Sequence, residues 1–204
     1  MTFPGRITCS SLVLLGVSLC GFAQEPDDGL KSLVAKGEVT LRGQTHAYVV
    51  RHLPPASFPD LPQTVAGELN RRGCLIPQTY QARRPENVVH GSFERAGSSD
   101  WAVLCSVEGT VSLLVFFEGG VSKPAKVATA RETERLQVHD SGGEMGFSWG
   151  IDAASPQRIH DAQNGLSPRP GRVEHDAIAD SIVERKTLYR YFDKGSWSVL
   201  DMPD

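Results

Sequence analysis

Two apolar runs separated by two residues constrain this chain more than any other feature. DWAVLCSV (100–107) and TVSLLVFF (110–117) are joined only by Glu108-Gly109. A connection that short cannot carry a parallel crossover, so the runs are expected to pair as antiparallel strands. Both are nearly continuous in apolar residues rather than alternating. They are therefore expected to be central strands, covered on both faces or on one face plus a helix. NVVHGSFE (87–94) precedes them across ERAGSS, which extends the pair to a three-stranded antiparallel meander.

The rest of the chain is arranged around that meander. EVTLR and THAYVVRHL flank Gly43 and read as a β-hairpin or two strands. The proline-rich LPPASFPD follows, and Asp60 is expected to cap a short helix with Pro62 in its first turn. Val65 and Leu69 share one face of that helix, and Gly73 supplies its stop. Weaker strands are expected around Arg135–Asp140 and Met145–Ile151. Ser155-Pro156 opens a short helix to Asn164, stopped by Gly165. LSPRPGRVEHD reads as a loop and HDAIADSIVE as a helical turn or two. KTLYRYF and SWSVLD form a hairpin around Asp193-Lys194-Gly195. No regular alternation of strand and helix appears, which argues against a doubly wound sheet. The fold class expected is α+β: a mainly antiparallel sheet, meander plus C-terminal hairpin, with two or three short helices.

The chain has 204 residues, a length that suits one domain with a tail. Residues 1–23 read as a secretory leader: Arg6, an apolar run from Leu12 to Leu19, and small Gly21 and Ala23 before a cut at Gln24. The run is too short to span a bilayer. A retained anchor, or a lipoprotein cut before Cys20, are the alternatives; Leu19 stands where a lipoprotein signal needs a small residue. The expected organisation is a leader (1–23), a flexible lead-in (24–36) and one globular α+β domain (37–204), with no transmembrane segment after cleavage. Cleavage removes one of 21 basic side chains and none of the 24 acidic ones, for a net charge of −4. That balance argues against a nucleic-acid partner. Of four cysteines, Cys74 and Cys105 remain, and in an oxidising compartment the pair is expected to close a disulfide. Cys105 has no adjacent cation to stabilise a thiolate, which disfavours a catalytic role.

The stretch from Gly91 to Val103 (GSFERAGSSDWAV) resembles an FG-GAP or VCBS-type blade segment, patterned roughly G-D-F-N-G-D-G-x-x-D-L-A-V. Gly91, Phe93, Gly97, Asp100, Ala102 and Val103 match in place, and VSLLVF resembles the next strand, so the likeness covers residues 91–117. The sequence holds no second copy, and a propeller needs several blades, so the resemblance implies one blade-like meander inside another fold. Ser92, Glu94 and Ala96 occupy the pattern's calcium-ligand positions, with Asp100 alone keeping its carboxylate there. Calcium wants six or more oxygen ligands. Read from the residues, Asp100 closes the turn by accepting backbone N–H bonds, Gly97 takes positive φ, and Phe93 and Trp101 anchor a core. The phrases RGCLIPQ and DWAVLCS give the chain a resemblance to exported bacterial proteins of unassigned function.

Gly146-Phe147-Ser148-Trp149-Gly150 matches G-x-S-x-G, the nucleophile elbow of α/β-hydrolases, and Asp161 and His175 follow in triad order. The context is poor: HDSGGEM precedes where a strong strand is required, and IDAASP follows where a helix should start. The bland reading is a glycine-rich strand packed by Phe147 and Trp149. His139-Asp140, His160-Asp161 and His175-Asp176 offer metal-type donors, and Glu174, His175, Asp176 and Asp180 make the densest group. Against this, no H-x-x-x-H spacing occurs, and Asp176 suits the cap of a helix over AIADSIVE. His90 reads as a satisfied sheet histidine. Arg71, Arg72, Arg83 and Arg84 flank Cys74 as a basic patch for an anionic surface or partner. Tyr189, Tyr191, Phe192 and Trp197 alternate along the last hairpin, one face core and the other a candidate binding surface.

These readings converge on a secreted or periplasmic, non-enzymatic binding or accessory module without cofactor, its partner an unidentified protein or envelope component. The alternative is an envelope or extracellular hydrolase using Ser148 or a metal site near His175.

Overall fold

The computed structural model describes residues 33–164, 166 and 171–201. The expected leader, its expected cleavage point and the start of the expected lead-in lie outside those residues, as do Gly165 and the centre of the loop at 166–176. Three sheets, antiparallel but for one pair of strands, build the molecule. The first contains β1 (Leu33–Leu41), β2 (Gln44–Leu53), β3 (Ile76–Gln78), β8 (Leu136–Val138) and β9 (Met145–Phe147). The second is β4 (Val88–Gly91), β5 (Asp100–Val107), β6 (Thr110–Phe116) and β7 (Ala125–Arg131). The third is β10 (Trp149–Ala154), β11 (Ala177–Ile182), β12 (Lys186–Asp193) and β13 (Ser196–Asp201). Helix α1 (Gln63–Arg71) lies on the second sheet, and α2 (Pro156–Ala162) on the third. Within the first sheet, β9 runs parallel to β2 along Tyr48–Val49, while β3 takes the same edge further on, antiparallel, at Arg51–Leu53.

The expected meander is present, in the order β4-β5-β6-β7, with the two apolar runs at its centre. Strand side chains alternate between faces, and both faces here are covered. Ala102, Leu104, Val111, Leu113 and Val115 point into a central core shared with Val50, Phe147, Trp149 and Ile178 of the other sheets. Val103, Cys105, Leu114 and Phe116 point the other way, against Val65 and Leu69 of α1. A third cluster packs Ile159 of α2 on Ala177, Ala179 and Tyr189. The tight hairpins turn on Arg42-Gly43, Glu108-Gly109 and Lys194-Gly195, every one of these residues at positive φ. That is the type I′ geometry whose twist matches the strands it joins.

Several expectations are corrected. Strand β1 begins at Leu33, inside the expected lead-in, because pairing with β2 continues back to Leu33 opposite His52. Pro62, not Asp60, sits at the N-cap of α1, and no side chain caps that end. The expected helix over AIADSIVE is strand β11. Its residues are buried almost continuously and pair with β10 on one side and β12 on the other, so tertiary pairing overrides a short, alanine-rich pattern. Asp176 therefore caps no helix: its carboxylate accepts from the Ser92 amide at 2.9 Å, while its own amide donates to the Ser92 carbonyl. Strands β3 and β7 had no counterpart in the sequence reading.

Candidate functional site

A cleft of about 620 Å³ opens beside the second sheet. Its floor comes from the meander: His90 on β4 stands opposite Trp101 on β5, and their rings lie 4.8 Å apart at 42°. One wall is the segment Ser57–Leu61. Its path is set by Pro54, Pro55 and Pro59, whose φ is locked, and by backbone bonds Ser57 to Pro54, Phe58 to Pro55 and Leu61 to Phe58. The other wall is the loop that carries Arg84 and Pro85.

That loop is held from within. Gln78 is 1 % exposed. Its amide donates to the Ile76 and Glu86 carbonyls, and its side-chain oxygen accepts from the Glu86 amide. Glu86 in turn accepts from the Thr79 amide at 2.8 Å, and Arg51 donates to the Ala82 carbonyl at 2.8 Å. Buried Asn87, at positive φ, closes the far end: its amide reaches the Pro77 and Trp149 carbonyls, and its oxygen accepts from Ile151. The tip is thus presented on a fixed base, the arrangement expected of a preformed binding site. Arg83, Arg84 and Asp60 are exposed to solvent, and their side chains pair with no described residue. His90 uses Nε2 on the Ser99 hydroxyl at 2.9 Å.

The arginines expected to form one patch are divided. Arg84 lines the cleft near the start of α1, whereas Arg71 and Arg72 are at its other end, about 13 Å along a nine-residue helix. There both guanidiniums engage Glu68, at 2.8 Å and 2.7 Å. Their hydrogen bonds hold the Glu68 carboxyl down at about 2, so this end presents a cluster in which one carboxylate offsets one of two cations. The aromatics of the terminal hairpin divide between two environments. Tyr189 is buried, and its hydroxyl accepts from Arg158 at 3.2 Å. Tyr191 packs on the same cluster, while Trp197 and Phe192 stack around Phe117 on the meander side. Phe192 and Trp197 thus tie the third sheet to the second, and Tyr191, Phe192 and Trp197 each keep part of their surface exposed.

Ser148 is 2 % exposed. Its hydroxyl donates to the Arg135 carbonyl at 2.8 Å, between β9 and β10. Asp161 accepts from Gln157 on the surface of α2. His175 has its two ring nitrogens 2.9 Å and 2.8 Å from the carbonyls of Asp176 and Phe192. The structure brings none of these three into hydrogen-bond contact with another, among the described residues. The first glycine of the pentapeptide has a packing explanation: a Cβ at Gly146 would lie 2.5 Å from the Tyr80 Cβ and 2.9 Å from the His139 ring. Tyr80 and His139 stack across it with centroids 4.9 Å apart. Burial, and then Glu184, push the Tyr80 phenol up.

Of the four metal-type candidates, Asp180 is buried against Arg190 at 2.6 Å, Asp176 holds Ser92, and Glu174 faces Arg172 at 4.0 Å. Among the described residues no group of three or more His, Cys, Asp or Glu side chains gathers to hold a metal. No helix among them is long and apolar enough to cross a membrane. Sequence reasoning missed Phe58, Asp60 and Trp101 as cleft residues. The signal for Trp101 was the meander register, which sets it beside His90; nothing local brings Phe58 to them. Comparison with known proteins finds no matching family model, no matching curated protein and no matching solved structure.

Proposed function

We propose that this chain is an exported, non-catalytic binding module whose ligand seats in the cleft between Phe58, Arg84, His90 and Trp101. The observation that carries the reading is the combination of a rigidly braced wall with charged groups that no described residue satisfies. Protein surfaces usually leave charges to water. Here Arg84 and Asp60 border a concave space with aromatic sides, where convergent polar groups on an apolar lining are the usual form of a small-molecule site. Export is supported by the leader-like segment and by the Cys74–Cys105 disulfide, a bond that persists in oxidising compartments.

The test is amide and indole chemical-shift mapping of the exported form against a library of small polar and aromatic fragments. Binders are expected to shift the Trp101 indole together with residues 58–61 and 84–90. A library whose hits all cluster elsewhere, leaving those signals still, would remove the cleft from consideration.

A further inference from the structure

We infer that the ligand of this cleft is a saccharide carrying a carboxylate; the inference rests on the cleft being the binding site. The aromatic side of the space, Trp101 and His90 on the floor with Phe58 on the wall, offers apolar ring surface, with polar N–H or N edges on Trp101 and His90. A pyranose ring has the matching division, with C–H groups on its faces and hydroxyls around its rim. The Arg84 guanidinium, without a partner among the described residues, has the planar fork that takes a carboxylate through two parallel bonds. Asp60, also unpartnered, accepts only, which suits hydroxyl donors. One cation beside one anion also argues against a multiply charged phosphate chain. A single carboxylate on a hydroxyl-rich ring balances both.

A peptide is the weaker fit. Extended peptides are recognised largely by main-chain bonds along a free strand edge. The strand that floors the cleft, β4, is the outer strand of its sheet, but it turns the side chains of Val88 and His90, two apart on one face, toward the cleft rather than its unpaired edge. The cleft, about 620 Å³, falls within the roughly 300–1,000 Å³ of small-ligand sites, which admits a short oligosaccharide.

The experiment is tryptophan-fluorescence titration of the exported protein with trigalacturonate, tri-N-acetylglucosamine and a proline-rich decapeptide. Trp149 is fully buried and Trp197 is packed between Phe117 and Phe192, so a saturable change absent from Trp101→Phe reports the cleft. Trigalacturonate is expected to saturate the signal, and Arg84→Ala to weaken it at least tenfold with circular dichroism and melting temperature unchanged. Equal affinity for the neutral trisaccharide, with no effect of Arg84→Ala, would overturn the carboxylate assignment. Saturation by the decapeptide and by neither sugar would overturn the saccharide assignment and leave the binding module standing. A silent Trp101 with all three probes, joined to a silent cleft in the fragment mapping, would overturn both.

Discussion

Asp100 shows how much one side chain can organise. It has no exposed surface. One carboxylate oxygen accepts from the Glu94 amide at 2.8 Å and from the Ser98 hydroxyl; the other accepts from the Glu118 amide at 2.8 Å. The 94–99 turn and the end of β6 are thereby held to the start of β5. Leaving two buried amides without an acceptor costs about 1–3 kcal/mol each. Asp100→Ala is therefore expected to lower stability by at least about 1–3 kcal/mol, read as a fall in the urea midpoint. An unchanged midpoint would refute the role. Gly91 serves the same corner by absence, since a Cβ there would meet the Phe93 ring at 2.7 Å.

At the scale of elements, α1 illustrates a helix stabilised by what lies under it. It has nine residues and no side-chain cap at its N-terminus, too short to persist alone. Val65 and Leu69 are fully buried against the second sheet, and Cys74, just past the helix, is bonded to Cys105 in the centre of β5. Closing a loop across a separation of 31 residues removes denatured-state entropy worth about 3–4 kcal/mol on the chain-entropy account. On the proposed export, the mature protein is expected to begin at Gln24 and to show no reactive thiol when denatured without reductant. Two labelled cysteines would contradict this. Replacing both cysteines by serine is expected to lower the melting temperature by roughly 10 °C or more, taking a few degrees per kcal/mol for a domain of this size.

At the scale of the molecule, a buried polar cluster joins two of the three sheets. Glu132, just after β7, accepts from His52 of β2 at 2.7 Å and from the Ser106 hydroxyl of β5. Burial alone pushes the Glu132 carboxyl up, but the bonds from His52 and Ser106 and the neighbouring His52 charge outweigh it, so the group titrates below its ordinary value. A carboxyl that is more acidic folded than unfolded adds stability above its unfolded pKa, about 4.3 for a glutamate. That contribution fades as pH falls below this value and through the folded one. Chemical denaturation at successive pH values from 6 down to 3 is expected to show a steeper decline for the natural protein than for Glu132→Gln, and parallel curves would rule the linkage out. The pentapeptide at 146–150 also makes sense only at this scale. Gly146 gives room for Tyr80 and His139, and Ser148 crosses from the first sheet to the third, its carbonyl accepting from Val183.

Much of the framework was legible along the chain because it rests on local rules. Two-residue connections favour hairpins, continuous apolar runs favour covered central strands, and Cys74 and Cys105, on the reading of export, favour pairing with each other. The turn-closing role of Asp100 was readable for the same reason, since its partners lie within a few residues or at the next strand end. What required the tertiary structure was every feature decided by partners distant in sequence. Ala177–Ile182 became a strand because β10 and β12 were there to pair with it, and its own propensities did not decide the matter. The arginines and the hairpin aromatics were recognisable as residue types that bind, but Glu68 offsets one of the two charges of Arg71 and Arg72, and Phe117 packs on Phe192 and Trp197. The cleft draws on segments near residues 58, 85, 90 and 101. Its walls approach because the sheets pack over shared cores, and that energy has no signature in any single stretch of sequence.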